Sequence, residues 1–392
     1  MKKLIFILVP LISGSIFAKN DHREPIVIGE RLSITSEILD EDRTLWVHLP
    51  ANYDHSGQKY PVMVLLDGGG HFHHVTGIIQ FLSRINRVPQ MIVVGLPNTD
   101  RTRDLTPPRF QDTTSTFPTA GGANNFLKFI SDELIPFVEQ NYRTHPYRVL
   151  VGHSFGGLFA VNALLTKPDV FDAYISISPT LWWDNQRLLG DTEDLLKSHS
   201  DFDKFLFCSL GNEGDRMQVP AEEFVRILQK HAPESFRWDF RFMENEDHGS
   251  TPHRTIYDGL EALYVDWRLP REVAQNGSLD DFDRHYAELS KKFGYEIETP
   301  ENVVNRLGYR LLAQKEIDEA IRLFKRNVER YPESANVYDS LGDAYDANGQ
   351  FELAKKNYEI AYKKAQATSH PNVKIYKNNF ERLQKKLADS TE

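Results

Sequence analysis

Arg148-Val149-Leu150-Val151-Gly152-His153-Ser154-Phe155-Gly156-Gly157 is the stretch on which the reading of this chain turns. Arg148 to Val151 reads as a strand, Gly152 to Ser154 as a sharp turn, and the small residues that follow as the start of a helix. A hydroxyl is a poor nucleophile unless something removes its proton. A serine held on such a turn, at the carboxyl edge of a parallel sheet, is the usual way of supplying that help. The glycines of the G-x-S-x-G pattern let the backbone turn sharply and let the helix lie close to the strand.

The neighbouring sequence supplies the strands and helices this reading needs. Pro25 to Ile28, Leu32 to Ile38 and Thr44 to Leu49 alternate as strands of an antiparallel opening sheet. Pro61 to Leu66 and Met91 to Leu96 are continuous apolar runs, the signature of parallel strands covered on both faces. A helix is expected between them, from about Thr76 to Asn86. Phe126, Phe129, Ile130, Leu134 and Phe137 recur at helical spacing over Asn124 to Asn141, with a kink expected near Pro136. After the serine come helix Gly157 to Leu165, strands Tyr174 to Ser178 and Phe205 to Leu210, helix Ala221 to Lys230, strand Trp238 to Phe242 and helix Thr255 to Trp267. Alternation over this length predicts a doubly wound α/β sheet.

A chain of 392 residues exceeds what one core usually holds, and its net charge of -10 argues against a nucleic-acid partner. Lys2 and Lys3, the apolar run Leu4 to Phe17, and Ala18 before Lys19-Asn20-Asp21 read as a signal peptide over residues 1–18, with a periplasmic or secreted product and no membrane span after processing. The single cysteine, Cys208, excludes an internal disulfide and sits in an apolar run, as a small buried hydrophobe would.

From Pro270 the strand signals stop. Residues 270–300 read as a helical linker, with a bridging helix at Leu279 to Phe293. Residues 301–388 carry an internal repeat in which Leu307-Gly308 recurs as Leu341-Gly342, Ala320 as Ala354 and Phe324 as Tyr358. The 34-residue period, the small residues where helices cross and the aromatic on the second helix resemble the tetratricopeptide repeat, and Val373 to Leu387 would cap the stack. Such repeats imply a protein partner or self-association.

If Ser154 is a nucleophile, a base and an acid that orients it should follow in the order Ser, acid, His. His248, in Glu246-Asp247-His248-Gly249-Ser250 after the last strand, is the candidate base. His253 is the runner-up, on the start of the next helix and pointing away. The acid should come from Gly211-Asn212-Glu213-Gly214-Asp215; Glu213 and Asp215 both qualify, and Glu213 lies nearer the strand end. Oxyanion donors are expected at the amide of Phe155 and in the glycine loop Leu66-Asp67-Gly68-Gly69-Gly70, at Gly69. His71-Phe72-His73-His74 could set His71 and His73 on one side, but no third ligand is evident, and a loop or helix start beside the pocket is the preferred reading over a metal site. Trp182 and Trp183 are read as a pocket wall or an aromatic plug on the core.

Leu65-Leu66-Asp67-Gly68, Asn98-Thr99-Asp100-Arg101-Thr102-Arg103-Asp104-Leu105-Thr106-Pro107, Gly152 to Gly157, Ser178-Pro179 with Trp182-Trp183, and Asp247-His248-Gly249-Ser250 together resemble the putative-esterase family over residues 24–269. That family holds enterochelin (siderophore) esterases, esterase D-like enzymes, feruloyl esterase domains and mycolyltransferases. The resemblance implies an α/β-hydrolase fold, with Ser154 as nucleophile, His248 as base, an oxyanion hole at Phe155 and Gly69, and Arg101 binding an anionic small-molecule ester. The alternative for Arg101 and Arg103 is an ion pair with Asp100 or Asp104. The implied activity is a serine carboxylic-ester hydrolase on siderophore-type, aryl or carbohydrate esters, needing no metal or organic cofactor. Acyl transfer by the same residues, or a non-catalytic interaction protein acting through its repeats, are the alternatives.

Overall fold

A computed structural model describes residues 25–51, 53–109, 116–198, 201–368 and 370–389; the expected signal peptide lies outside them. Among the described residues one sheet forms from β1 (Glu30–Ser36), β2 (Glu41–His48), β3 (Tyr60–Leu66), β4 (Ile92–Leu96), β5 (Thr144–His153), β6 (Ala173–Ile177), β7 (Phe205–Gly211) and β8 (Arg237–Met243). Its order is β1-β2-β4-β3-β5-β6-β7-β8. The antiparallel hairpin β1–β2 is therefore no separate opening sheet: β2 pairs with β4, and every later pairing is parallel. Pro25 to Ile28 forms no strand, and Ile26 and Val27 stand exposed.

Helices α1 (Gly68–Arg84), α2 (Arg101–Leu105), α3 (Ala123–Phe129), α4 (Ile135–Asn141), α5 (Phe155–Thr166), α6 (Trp183–Ser198), α7 (Asp215–His231) and α8 (Thr251–Leu263) connect and cover the strands. Alternation along β3 divides its side chains between the two faces. Val64 and Leu66 join the cluster with Phe126, Phe159, Leu188 and Phe224, whereas Met63 and Leu65 join Val75, Ile79, Ile256 and Leu260. Burial on both faces is why these strands read as unbroken apolar runs.

Helix α1 begins at Gly68, eight residues before the expected start at Thr76. Asp67 turns into the left-handed region (φ 53°), and the three glycines become the first turn of the helix rather than a loop. Local propensity hid this, because glycine is a poor helix former and the start depends on Asp67's tertiary contacts. Between α3 and α4 the helix widens into a π-turn, Ile130–Leu134, in which the Ile135 N–H donates to the Ile130 carbonyl, immediately before Pro136. The proline cannot donate, so the expected kink takes the form of one relaxed turn.

Helices α9 (Arg271–Asn276), α10 (Leu279–Phe293), α11 (Glu301–Ala313), α12 (Ile317–Arg330), α13 (Ala335–Ala347), α14 (Phe351–Ala367) and α15 (Val373–Asp389) follow. Residues 270–300 do more than link. Phe282, Tyr286, Leu289 and Phe293 enter the cluster beneath α1 and α8, with Val303, Val304, Leu307 and Leu323 beyond them. Phe293 lies 5.0 Å from the Tyr264 ring and 5.2 Å from Tyr147, and Tyr295 stacks at 4.1 Å on His145. The repeated positions coincide with two equivalent helix crossings. A Cβ at Gly308 would stand 2.4 Å from the Phe324 ring, and one at Gly342 2.7 Å from the Tyr358 ring.

Gly342→Ala should therefore lower stability by ~1–3 kcal/mol, although alanine is the better helix former. Gly190→Ala, on an exposed part of α6 with open space around it, should raise stability by up to ~1 kcal/mol. Denaturant unfolding measures both, and a neutral Gly342→Ala would show that α13 and α14 do not cross in this contact.

Candidate active site

Three adjacent strands end in residues that adopt positive φ without being glycine: Asp67 after β3 (53°), Ser154 after β5 (60°) and Ser178 after β6 (41°). Each such conformation costs about 1–3 kcal/mol and persists only when its surroundings over-determine it. At Ser154 they do. A Cβ on Gly152 would fall 2.2 Å from the Gly156 carbonyl oxygen, and one on Gly157 2.8 Å from that of Ile177, so β5, α5 and β6 meet at backbone distance. The Ser154 N–H donates to the Ile177 carbonyl at 2.9 Å, and the Ser154 carbonyl accepts from Leu158 at 2.9 Å. The side chain stands partly exposed at the sheet edge.

Glu213, in the turn after β7, and His248, in the loop after β8, meet at that edge, with Nδ1 of the imidazole 2.5 Å from Oε2 of the carboxylate. The two loops are laced together, since the Asn212 N–H donates to the Glu246 carbonyl at 2.7 Å. The Asp247 carboxylate accepts from the amides of Gly249 (2.8 Å) and Ser250 (2.9 Å), which shapes the turn around His248. The other Glu213 oxygen accepts from the Ser178 hydroxyl at 2.5 Å and the Gly211 amide at 3.1 Å. Burial alone would raise the Glu213 carboxyl, but hydrogen bonds from His248 and Ser178 outweigh it and hold the group below its ordinary value. Asp215 instead opens α7. The His248 ring packs 4.5 Å from that of His153, the residue before Ser154.

Gly69 and Phe155 fall in the first turns of α1 and α5, where a helix has no carbonyl to offer its amides. The Asp67 carbonyl takes the Gly70 N–H at 2.9 Å and the His71 N–H at 3.3 Å. Open space lies where a Cβ of Gly69 would be, whereas one on Gly68 would strike the Leu96 nitrogen at 2.7 Å.

Arg101 does not pair with Asp100 or Asp104. Its Nε and Nη2 grip the Asp67 carboxylate at 2.6 and 2.9 Å, Nη2 also reaches the His153 carbonyl at 3.0 Å, and the guanidinium lies 5.4 Å over the Phe155 ring. Asn98 donates to the same carboxylate at 2.6 Å. Burial would raise Asp67, but Arg101 and Asn98 hold it below the usual range. Arg103 does pair with Asp104, at 2.7 Å, and also with Glu41 at 2.6 Å; buried Arg43 reaches Asp104 at 2.6 Å, which anchors this segment to β2.

Trp183 is the buried plug, its Nε1 donating to the Pro107 carbonyl at 3.1 Å. Trp182 is the wall. It is half-buried, 6.4 Å from the Phe155 ring, with the Arg216 guanidinium 3.8 Å over its face.

On helix α1 it is His71 and His74 that share a face, not His71 and His73, and they share a hydrogen bond of 3.0 Å. Ring contacts run from His153 to His71 (5.8 Å), His71 to His74 (5.2 Å) and His74 to His253 (5.3 Å). His253 thus faces α1. Among the described residues no group of three His, Cys, Asp or Glu side chains is arranged to hold a metal ion. Burial, together with neighbouring imidazoles, depresses His153 and His74 to about 4. Ser178, Asp67 and Asn98 carry no role that local pattern assigns; a serine beside a proline and an acid before three glycines are the only local signals at Ser178 and Asp67.

The Putative esterase family matches residues 36–256. Over 208 residues the chain is 32% identical to the siderophore enterobactin esterase of Emericella nidulans, covering 46% of this chain and 67% of that protein. It is 34% identical over 212 residues to the ferri-bacillibactin esterase of Bacillus subtilis, covering 48% and 73%. An IroE-like serine hydrolase structure from Shewanella oneidensis superposes with a TM-score of 0.67 at 31% identity, covering 73% of this chain and 95% of that one. A Capnocytophaga ochracea structure, 17% identical with a TM-score of 0.60, covers 91% of this chain and 99% of its own, so its shared fold extends into the helical tail.

His153 and His74 lie below the ordinary histidine value of 6.5 when folded, so on acidification the unfolded chain takes up protons first. Their stabilising neutrality is complete above 6.5 and is lost as pH falls toward 4. The thermal midpoint should drop by at least ~5 °C between pH 7 and pH 5, and by less in His74→Phe. Scanning calorimetry of both proteins tests this, and equal pH dependence in the two would refute it.

Proposed function

Because the chain belongs to the Putative esterase family, we propose that it is an exported serine esterase cleaving siderophore-type or related aryl esters through an acyl-enzyme. The observation that carries this reading is the 2.5 Å contact of His248 with Glu213, with the His248 ring 4.5 Å from that of His153, the residue before a serine held at φ 60°. Ser154 Oγ attacks the ester carbonyl carbon while its proton passes to Nε2 of His248. The negative charge that builds on the carbonyl oxygen meets the N–H groups of Phe155 and Gly69, at the starts of two helices, where each donor is worth about 2.7–4 kcal/mol in a comparable hydrolase. Collapse of the tetrahedral intermediate expels the alcohol, which leaves with the proton from His248. Water then repeats the sequence on the acyl-enzyme. Glu213 keeps the Nδ1 proton in place and stabilises the imidazolium; Ser178 and the Gly211 amide in turn keep Glu213 ionised and aimed.

Support for an aromatic, anionic substrate comes from the wall beside Ser154. Phe155 and Trp182 offer ring faces, and exposed Arg216 lies over Trp182. The two curated relatives named above act, by their names, on siderophores. Export rests on the charged, apolar and small-residue pattern of residues 1–18. The tail's helix crossings, 34 residues apart at Gly308 and Gly342, support reading residues 301–388 as tetratricopeptide repeats.

Ser154→Ala should reduce hydrolysis of p-nitrophenyl acetate by at least ~10³-fold with an unchanged circular dichroism spectrum, and Glu213→Gln by ~10²–10⁴-fold. Retained turnover in Ser154→Ala would refute the mechanism. Hydrolysis of ferric catecholate trilactones measured against feruloyl and acetylated sugars identifies the acyl group, with the trilactone expected to give the highest kcat/KM.

A further inference from the structure

The two oxyanion donors come from chain segments nearly ninety residues apart, so something must set their separation. One ion pair touches both. The Asp67 carboxylate belongs to the residue whose left-handed turn starts α1 and whose carbonyl occupies the Gly70 and His71 amides. Its Oδ2 also lies 3.3 Å from where a Cβ of Gly156 would stand, against the first turn of α5. Arg101 holds that carboxylate through two nitrogens, at 2.6 and 2.9 Å, and with the second reaches the carbonyl of His153, the residue before Ser154, at 3.0 Å. Asn98 completes the clamp at 2.6 Å. The Gly69 side of the hole is thereby tied to the Ser154 side by three Arg101 hydrogen bonds, a task suited to a rigid planar fork and not to an ammonium.

Resting on the esterase reading, we propose that Asp67 and Arg101 form a strut that fixes the spacing of the Gly69 and Phe155 amides, so that Arg101 is a positioning residue for the transition state rather than a binding residue for the ground-state substrate. The oxyanion must sit about 2.7–3.1 Å from both donors, and a misplacement of ~1 Å costs ~10²-fold in rate. The strut therefore acts on kcat and leaves KM nearly alone. It acts equally on neutral and anionic esters, because it recognises no part of the substrate.

The test uses the full chain with neutral p-nitrophenyl acetate and anionic p-nitrophenyl succinate. Arg101→Ala, Arg101→Lys and Asp67→Asn are each expected to lower kcat by ~10²-fold on both esters with KM changed less than ~2-fold. Asp67→Asn combined with Arg101→Ala should be no worse than the poorer single variant, since both break one unit. Millimolar guanidinium should restore part of the turnover of Arg101→Ala. A higher KM confined to the succinate, with acetate turnover intact, would overturn the strut and make Arg101 a substrate-binding group; additive losses in the double variant would also overturn it. Fluorophosphonate labelling of Ser154 separates the two levels of the reading. A wild-type chain that labels and turns over while the three variants match it overturns the strut alone, whereas a wild type that does neither overturns the esterase reading and the strut with it.

Discussion

A backbone contact governs the architecture: β5 and α5 approach so closely that a Cβ on Gly152 would lie 2.2 Å from the Gly156 carbonyl oxygen. Between those glycines the chain reverses within one residue, and Ser154 takes the positive φ that the reversal requires. Its backbone is then held from both sides, through its N–H by the Ile177 carbonyl and through its carbonyl by the Leu158 amide. The side chain is left at the carboxyl edge of the parallel strands, where the start of α1 and the segments after β4, β6, β7 and β8 also lie.

Charged groups pin these segments alongside buried side chains such as Leu105, Leu181 and Trp183. Glu213 receives His248, Ser178 and the Gly211 amide; Asp67 receives Arg101 and Asn98; Asp104 receives Arg43 and Arg103. A buried carboxylate left without such partners is strongly unfavourable, so each of these groups specifies where its loop must lie. The sheet supplies the opposite kind of order. Its strands are buried on both faces, and one of those faces continues without a break into the aromatic cluster of Tyr147, Tyr264, Phe293 and Tyr295 and so into the helical tail. The tail is thereby rooted in the core on the side of the sheet that carries α1 and α8.

Much of this was legible locally. Period and apolarity identified the parallel strands, most of the covering helices and the 34-residue recurrence, because burial on one face or on both imposes those patterns on the chain itself; α2 and α6, in stretches that read as loops, were not among them. The G-x-S-x-G turn was legible too, since only glycine tolerates backbone contact at such distances, as was the order of Ser154, acid and His248. The start of α1 was hidden because it depends on the conformation of Asp67, which Arg101 and Asn98 secure from more than thirty residues away.

The sequence by itself thus determined the doubly wound sheet, the position of Ser154 and the loop that bears His248, all of which follow from nearest-neighbour sterics and periodic burial. Tertiary structure alone decided that Glu213 and not Asp215 faces His248, through the hydrogen bond that laces Asn212 to Glu246, and that Arg101 meets Asp67 instead of its own neighbours. It also decided that His71 pairs with His74. Partner choice of this kind depends on which side chains and loops distant strands and helices bring within 3 Å, and no local period records that distance.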